Sequence, residues 1–212
     1  MDDLFSHSAG FDSLPMTDAN VSFWHQFYPA ARAAGLMQKL LQETPWRQEQ
    51  ITVWGKAYSQ PRLSAWYADP GVAYAYSGLT LTALDWTDTL QDIRHEIETA
   101  CSQRFNSVLL NLYRDGQDSM GWHSDDEAEL GRNPVIASLS LGATRIFKFR
   151  HKNKAQQKPL AVELNDGSLL LMAGETQHHW LHGVGKQSRR DGARINLTFR
   201  QVLSATEPEK RP

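Results

Sequence analysis

The chain has a single cysteine, Cys101, in 212 residues. One thiol builds neither a disulfide framework nor a cysteine-ligated zinc or iron–sulfur centre, and its position in an apolar helical pattern makes it a core residue. Long hydrophobic runs are missing as well: no stretch approaches the roughly 20 apolar residues needed to span a bilayer. The opening segment MDDLFSHSAGFDSLP lacks the basic start and apolar stretch of a secretory leader. A cytoplasmic monomer in a reducing compartment, with no membrane partner, is the expectation. An excess of either charge is also lacking. The net charge is -2, which argues against a strongly basic nucleic-acid binder.

That average hides an asymmetry. Between Thr144 and Gln201 eleven Lys and Arg face four acids, a local balance of +7. Such a balance can form a basic surface that meets phosphates, or it can be scattered solubilising charge. The remaining composition is that of a globular domain with a substantial core, 41% hydrophobic and 22% charged. One domain is expected over residues 21–203. A mobile N-terminal segment over 1–20 precedes it, and a polar tail over 204–212 follows.

Residues Pro29 to Glu43 carry helix formers, with Leu36, Leu40 and Leu41 on one side. A second helix is predicted from Asp88, capped there with Gln91 three residues on. Leu90, Ile93, Ile97 and Cys101 recur along it at helical spacing. Strands are predicted at Ser107–Tyr113, Val135–Leu141, Thr144–Arg150, Leu160–Leu164, Ser168–Met172 and Arg194–Gln201, separated by turns such as Asn165-Asp166-Gly167. Helices followed by a run of short strands imply an α+β fold, mainly β: a helical layer against a β-sandwich or barrel.

Chemistry concentrates in GWHSDDEAEL, residues Gly121 to Leu130. In extended chain His123 and Asp125 project to the same side. An imidazole and a carboxylate so placed are two of the three ligands of the facial triad that holds non-haem Fe(II); the alternative is a solvated acidic turn. A third ligand could come from QHHWLHGV, which offers His178, His179 and His182. The last strand, RINLTFR, sets Arg194, Asn196, Thr198 and Arg200 on one face and Ile195, Leu197 and Phe199 on the other. If the polar face is interior, its arginines need anions, and a dicarboxylate ligand would supply them. An exposed face with solvated arginines is the competing interpretation.

Together H-x-D, the distal histidine and R-x-N-x-T-F-R resemble the AlkB family of Fe(II)- and 2-oxoglutarate-dependent dioxygenases, in its DNA-repair branch. The resemblance runs from about Ile51 to Val202. It includes PRLSAWYADPGVAYAYSGLTL, FNSVLLNLYRDGQDSMGWHSDDEAEL, IASLSLGATRIFKFRHK and GSLLLMAGETQHHWLHGV. It implies a double-stranded β-helix, or jelly roll, with supporting helices. The core would span about 105–202, and an N-terminal nucleotide-recognition lid about 45–82. By this likeness His123, Asp125 and His182 bind iron, because the family's distal ligand directly precedes a small residue, here Gly183. Arg194 and Arg200 match the residues that bind the two carboxylates of 2-oxoglutarate, and Asn111, Tyr113 and Asn196 match further cosubstrate contacts. The implied activity is oxidative demethylation of 1-methyladenine and 3-methylcytosine in DNA. In it, 2-oxoglutarate and O2 become succinate and CO2, and formaldehyde is released.

On the substrate side the resemblance makes ITVWGKAYSQPR a hairpin with Trp54 as an apolar finger and Arg62 as a phosphate contact. Tyr74 and Tyr76 match the wall of a base pocket, and Glu127 matches an acid facing the base. Arg189, Arg190, His151 and Lys152 are further phosphate candidates, while Asp126 and Glu129 are ordinary surface acids. Three alternatives remain: an RNA or tRNA demethylase or a protein hydroxylase on the same scaffold, a non-catalytic nucleic-acid-binding descendant, and a zinc hydrolase. The last leaves Arg194 and Arg200 without a task.

Overall fold

The computed structural model describes residues 10–53, 56–72, 75–76, 79–80, 83–188 and 192–203. In chain order its strands are β1 (Asp12–Ser13), β2 (Asn20–Trp24), β3 (Gln50–Val53), β4 (Lys56–Ser59), β5 (Leu63–Ala68), β6 (Ala75–Tyr76), β7 (Leu79–Thr80) and β8 (Ser107–Tyr113). They continue with β9 (Met120–His123), β10 (Ile136–Gly142), β11 (Arg145–His151), β12 (Leu160–Leu164), β13 (Leu169–Ala173), β14 (Trp180–Val184) and β15 (Arg194–Arg200). Helix α1 covers Ala30–Glu43, α2 Asp88–Cys101 and the single turn α3 Thr176–His179. A seven-stranded sheet runs β1-β2-β13-β10-β15-β8-β5, and a four-stranded sheet runs β12-β11-β14-β9. All their pairings are antiparallel, which with the helical layer gives the jelly roll that the resemblance implies. The hairpins β3–β4 and β6–β7 stand apart from both sheets.

Strand alternation decides what lies on each side of the large sheet. Ile195, Leu197 and Phe199 of β15 join Leu139, Leu141, Val108 and Leu110 in a core shared with Leu40 of α1 and Leu90, Ile93, Ile97 and Cys101 of α2. Burial there pushes the Cys101 thiol up to about 12. The opposite face meets the small sheet, where Phe147, Phe149, Leu164, Leu170, Met172, Trp180 and Val184 pack together. Arg194, Asn196, Thr198 and Arg200 point into this second interior, and all four are buried. β15 is the hinge of the architecture, with an apolar face toward the helices and a polar face between the sheets.

Two expectations need correction. Residues 10–20 are not a mobile leader: β1 pairs with β2 through Asp12 and Phe23, and β2 pairs in turn with β13. Burial of Met16, Val21 and Phe23 holds this strand pair on the sheet edge. The cap of α2 is Thr87, not Asp88. The Thr87 hydroxyl accepts from the Leu90 N–H at 3.3 Å, and Asp88 is the first helical residue, where its charge favours the positive helix end. The predicted strands agree with the observed ones to within one residue at each end. No described helix is long and apolar enough to cross a membrane.

The Asn165-Asp166-Gly167 turn also fastens α1 to the sheet. Gly167 adopts φ +75°, its carbonyl accepts from the Tyr28 N–H at 2.9 Å, and a Cβ there would overlap the Tyr28 carbonyl oxygen. Gly167→Ala is expected to cost about 2 kcal/mol or more. Urea denaturation monitored by tryptophan fluorescence measures that loss.

Candidate active site

Within the small sheet β9 pairs with β14, and their register sets His123 directly opposite His182. The imidazole centroids are 4.3 Å apart, edge to face. Gly183 lets the strands approach this closely, since a Cβ there would lie 3.0 Å from the carbonyl oxygens of Met120 and Gly121. The chain leaves β9 after His123 and turns Asp125 inward, where it is 1% exposed. The side chain of Gln177 holds the turn, its Oε1 accepting from the Asp125 N–H at 3.0 Å. The ligand atoms of His123, Asp125 and His182 all lie within 4.8 Å of one another.

Orientation and charge suit this trio to a cation. His123 Nδ1 sits 2.9 Å from the Gly121 carbonyl, a donor contact that leaves Nε2 with its lone pair, 3.8 Å from Asp125 Oδ1. That Oδ1 is buried without a hydrogen bond, while Oδ2 accepts from Arg200 Nη2 at 2.9 Å. Burial raises the Asp125 pKa, but the Arg200 charge, aided by His182 and His123, outweighs it and holds the carboxyl down to about 2. Burial lowers His182 to about 3, reinforced by His123. His123 is also lowered, chiefly by burial and then by Arg200 and Arg62, against the pull of Asp125 and the Gly121 carbonyl. At neutral pH the trio is one carboxylate and two neutral imidazoles, the donor set of a facial non-haem iron site.

Asn111, Tyr113, Asn196, Thr198 and Arg200 line the same inter-sheet cavity as the trio. Strand register couples them: Asn196 faces Asn111 and Arg194 faces Tyr113 across β8–β15. Arg194 is 1% exposed and makes no ion pair among the described residues. Its Nη2 donates to Ser140 Oγ at 2.9 Å, while Nε and Nη1 are buried without a hydrogen-bond partner. Burial brings this guanidinium down to about 10. A buried cation in this state calls for an anion, and a carboxylate entering from the cavity fits its fork.

The structure also supplies residues that the sequence reading passed over. Arg145 is 2% exposed and donates to the carbonyls of Asp115, Asp118 and Gly185. With Arg194 it brackets the Tyr113 ring, their guanidinium carbons lying 5.4 and 5.3 Å from its centroid. Its signal was present in RIFKFRH, where Arg145 alternates in phase with the buried Phe147 and Phe149. Arg145, Arg194 and Arg200 are interior, so three of the eleven cations counted between Thr144 and Gln201 contribute nothing to a basic surface.

Among the substrate-side candidates, Arg62 is corrected. It is 5% exposed, and its Nε donates to Asn111 Oδ1 at 2.9 Å, so it braces a cavity residue and does not present itself to a phosphate. His151 is likewise buried. Lys152 is held by Asp126 at 3.4 Å and by the Gln177 carbonyl at 3.0 Å. Glu127 is half-buried just before the turn Ala128–Leu130. Trp54, Tyr74, Arg189 and Arg190 lie outside the described residues, and of Tyr76 only its place in β6 is described.

Comparison with known proteins agrees with this geometry. A family model described as the 2OG-Fe(II) oxygenase superfamily matches residues 20–200, which makes the chain an Fe(II)- and 2-oxoglutarate-dependent dioxygenase that uses O2. Human alpha-ketoglutarate-dependent dioxygenase alkB homolog 3 is 39% identical over 196 residues, 89% of this chain and 68% of the relative. Mouse DNA oxidative demethylase ALKBH2 is 43% identical over 159 residues, 72% of this chain and 66% of the relative. A solved structure of OsALKBH1 shares the fold with a TM-score of 0.61 at 18% identity, covering 85% of this chain and 97% of that one. The chain belongs to the AlkB family of 2-oxoglutarate and Fe(II) oxygenases.

Two binding measurements probe the site without turnover. Arg194→Met is expected to weaken 2-oxoglutarate by at least about 30-fold, the equivalent of the roughly 2 kcal/mol lower bound for truncating a buried charge partner. Calorimetry with Mn²⁺ in place of iron reads this, and Mn²⁺ binding itself should persist. Arg200→Met removes the strongest influence holding Asp125 low. As pH falls its carboxyl protonates earlier than in the parent, so Mn²⁺ affinity should drop about tenfold more than the parent's between about pH 8 and about pH 5.5. Paramagnetic resonance of free Mn²⁺ gives both curves.

Proposed function

We propose that this dioxygenase oxidatively demethylates N-alkylated bases, such as 1-methyladenine and 3-methylcytosine, in DNA. His123, Asp125 and His182 hold Fe(II) in this reading. Arg194 and Arg200, with Asn111, Tyr113 and Asn196, seat 2-oxoglutarate. The observation that carries it is the pairing of an iron-type donor trio lining the inter-sheet cavity with, on the polar face of β15 that borders it, the buried Arg194 guanidinium that has no anion of its own among the described residues. A hydrolase needs only the first feature. The nucleic-acid substrate is supported by the name DNA oxidative demethylase carried by relatives of 42–43% identity.

When bound, the metal with 2-oxoglutarate and O2 supplies the oxidation: one oxygen atom enters succinate as CO2 leaves, and the other hydroxylates the N-alkyl carbon. The residues around it have separate tasks. Arg200 keeps Asp125 ionised, and burial keeps both histidines neutral, so the donors need no proton loss at neutral pH. Phe147 and Phe149 flank His182, at 5.3 and 6.2 Å between centroids, and keep water from the reacting centre. The Gly121 carbonyl fixes the His123 ring. The N-hydroxymethyl product then loses formaldehyde by proton transfer, which requires no side-chain nucleophile.

An alkyl group on the Watson–Crick edge is out of reach inside a duplex, so the base must be flipped or already single-stranded. We assign the segment about 45–82, with its two hairpins, to the lid. Trp54 is the finger that fills the vacated stack, Tyr74 and Tyr76 form the pocket wall, and Glu127 faces the base's exocyclic amine. Arg62 belongs with the cosubstrate residues through Asn111.

Incubation with Fe(II), 2-oxoglutarate, ascorbate and methylated single- and double-stranded DNA and RNA oligonucleotides tests this, with bases quantified by mass spectrometry. Loss of 1-methyladenine and 3-methylcytosine from DNA, with equimolar formaldehyde, is expected. Asp125→Ala should abolish it, and Trp54→Ala should slow repair of duplex more than of single strands. Demethylation confined to RNA would move the assignment to the RNA branch, and absence of base loss from every substrate would reject it.

A further inference from the structure

A second cluster of ligand-type side chains stands away from the active site. Asp18, His151 and His179 bring one ligand atom each within 4.8 Å of the others. They come from three separate elements: the turn between β1 and β2, the last residue of β11, and the last residue of α3. The active site uses none of them.

His151 is 3% exposed, and its Nε2 is buried without a hydrogen-bond partner. The Nδ1 side lies 2.8 Å from the Asn153 carbonyl and 3.0 Å from the Asn153 N–H. Donation from Nδ1 to that carbonyl orients the ring as metal-bound imidazoles are oriented, leaving a lone pair on Nε2. That lone pair points toward Asp18 Oδ2, 3.5 Å away. Two acceptors face each other there, and a shared cation resolves the conflict. In the other tautomer Nδ1 accepts from the Asn153 N–H and an Nε2–H faces the Asp18 carboxylate, but at 3.5 Å the contact is too long to satisfy a buried donor, so Nε2 lacks a good partner either way.

The surroundings hold the three groups in place. Asp18 adopts φ +55°, a left-handed conformation that is uncommon outside glycine and fixes where its carboxylate goes. Its turn is clamped by Trp180 Nε1, which donates to the Thr17 carbonyl at 2.8 Å, and by Thr176 Oγ1, which accepts from the Asn20 N–H at 3.0 Å. The His179 ring lies nearly parallel to His151, with centroids 5.8 Å apart. Donors about 2.0–2.1 Å from a tetrahedral zinc ion stand roughly 3.4 Å apart. Asp18 and His151 already have that spacing, and His179, on a half-exposed side chain, closes the remainder by a small rotation.

We propose that Asp18, His151 and His179 form a second, structural metal site for a zinc-type divalent ion. Two imidazoles and a carboxylate select such an ion over magnesium or calcium. The fourth position falls to water or to Glu175, whose Oε2 is 3.7 Å from His179 Nε2. The ion ties the β1–β2 turn to β11 and to the start of β14. It clips the N-terminal strand pair to the strand that carries His182.

The active-site trio also binds zinc, so the test uses untagged full-length protein and separates the two sites. After chelator treatment and dialysis against ZnCl2, zinc per chain is counted by plasma mass spectrometry. The parent should hold two ions, His179→Ala one, His123→Ala/Asp125→Ala one, and the triple variant none. Adding Asp18→Asn to the active-site double variant should weaken the remaining zinc at least tenfold, and zinc should raise the thermal stability of the active-site double variant but not of the triple variant. One ion in the parent, or one retained by the triple variant, would overturn the proposal. His179 and Asp18 are exposed enough to be replaced without opening the core, and the parent against His179→Ala stands even if the double variant misfolds.

Discussion

An ionised carboxylate 1% exposed to water, Asp125, is sustained by a guanidinium 2.9 Å away that is almost as deeply buried. Removing one partner of such a pair costs about 3–5 kcal/mol, because the other is left as an uncompensated charge. The geometry of the whole site follows from this contact. Arg200 ends β15 in the large sheet, and Asp125 follows β9 in the small one, so the pair bridges the two layers where the histidines converge. It sets the protonation state of the donors and the distance between the sheets together. A jelly roll closed by apolar packing alone would have no reason to keep the two sheets in this register.

Arg194, six residues earlier on the same face, has no such counter-charge. Serine, tyrosine and a second arginine surround it, an environment that favours an incoming anion over water. The polar face of β15 is balanced at one end by the protein itself and prepared at the other for a ligand. That asymmetry separates an oxygenase pocket from a merely polar interior.

Much of this was legible in the sequence. The alternation in RINLTFR announces one apolar and one polar face, and the resemblance selects His182 among three neighbouring histidines. The strand predictions hold for two reasons: β8, β10 and β13 are short apolar-rich runs buried on both faces, while β15 alternates polar and apolar residues and β11 alternates buried and less buried ones. Burial of charge was less legible. Arg62, Arg145 and His151 read as surface groups because a sequence shows charge but not the strand lying opposite. Each is interior through a partner far along the chain: Asn111 for Arg62, the loop carbonyls near Asp115 and Gly185 for Arg145, and Trp180 for His151. The N-terminal strands were missed for a related reason. NVSFW is short, and its pairing with β13 depends on a segment about 150 residues away.

The close approach at Gly183 has a consequence for how this scaffold can change. Replacing glycine by alanine is a routine way to toughen a protein, since it narrows the unfolded ensemble. At residue 183 a methyl group would meet the two carbonyls across the strand and part β14 from β9. Variation that makes the chain more robust must therefore accumulate elsewhere, in loops and on the helical layer. Here the spacing between two backbones is itself the working part, and durability and activity alike require a residue with no side chain.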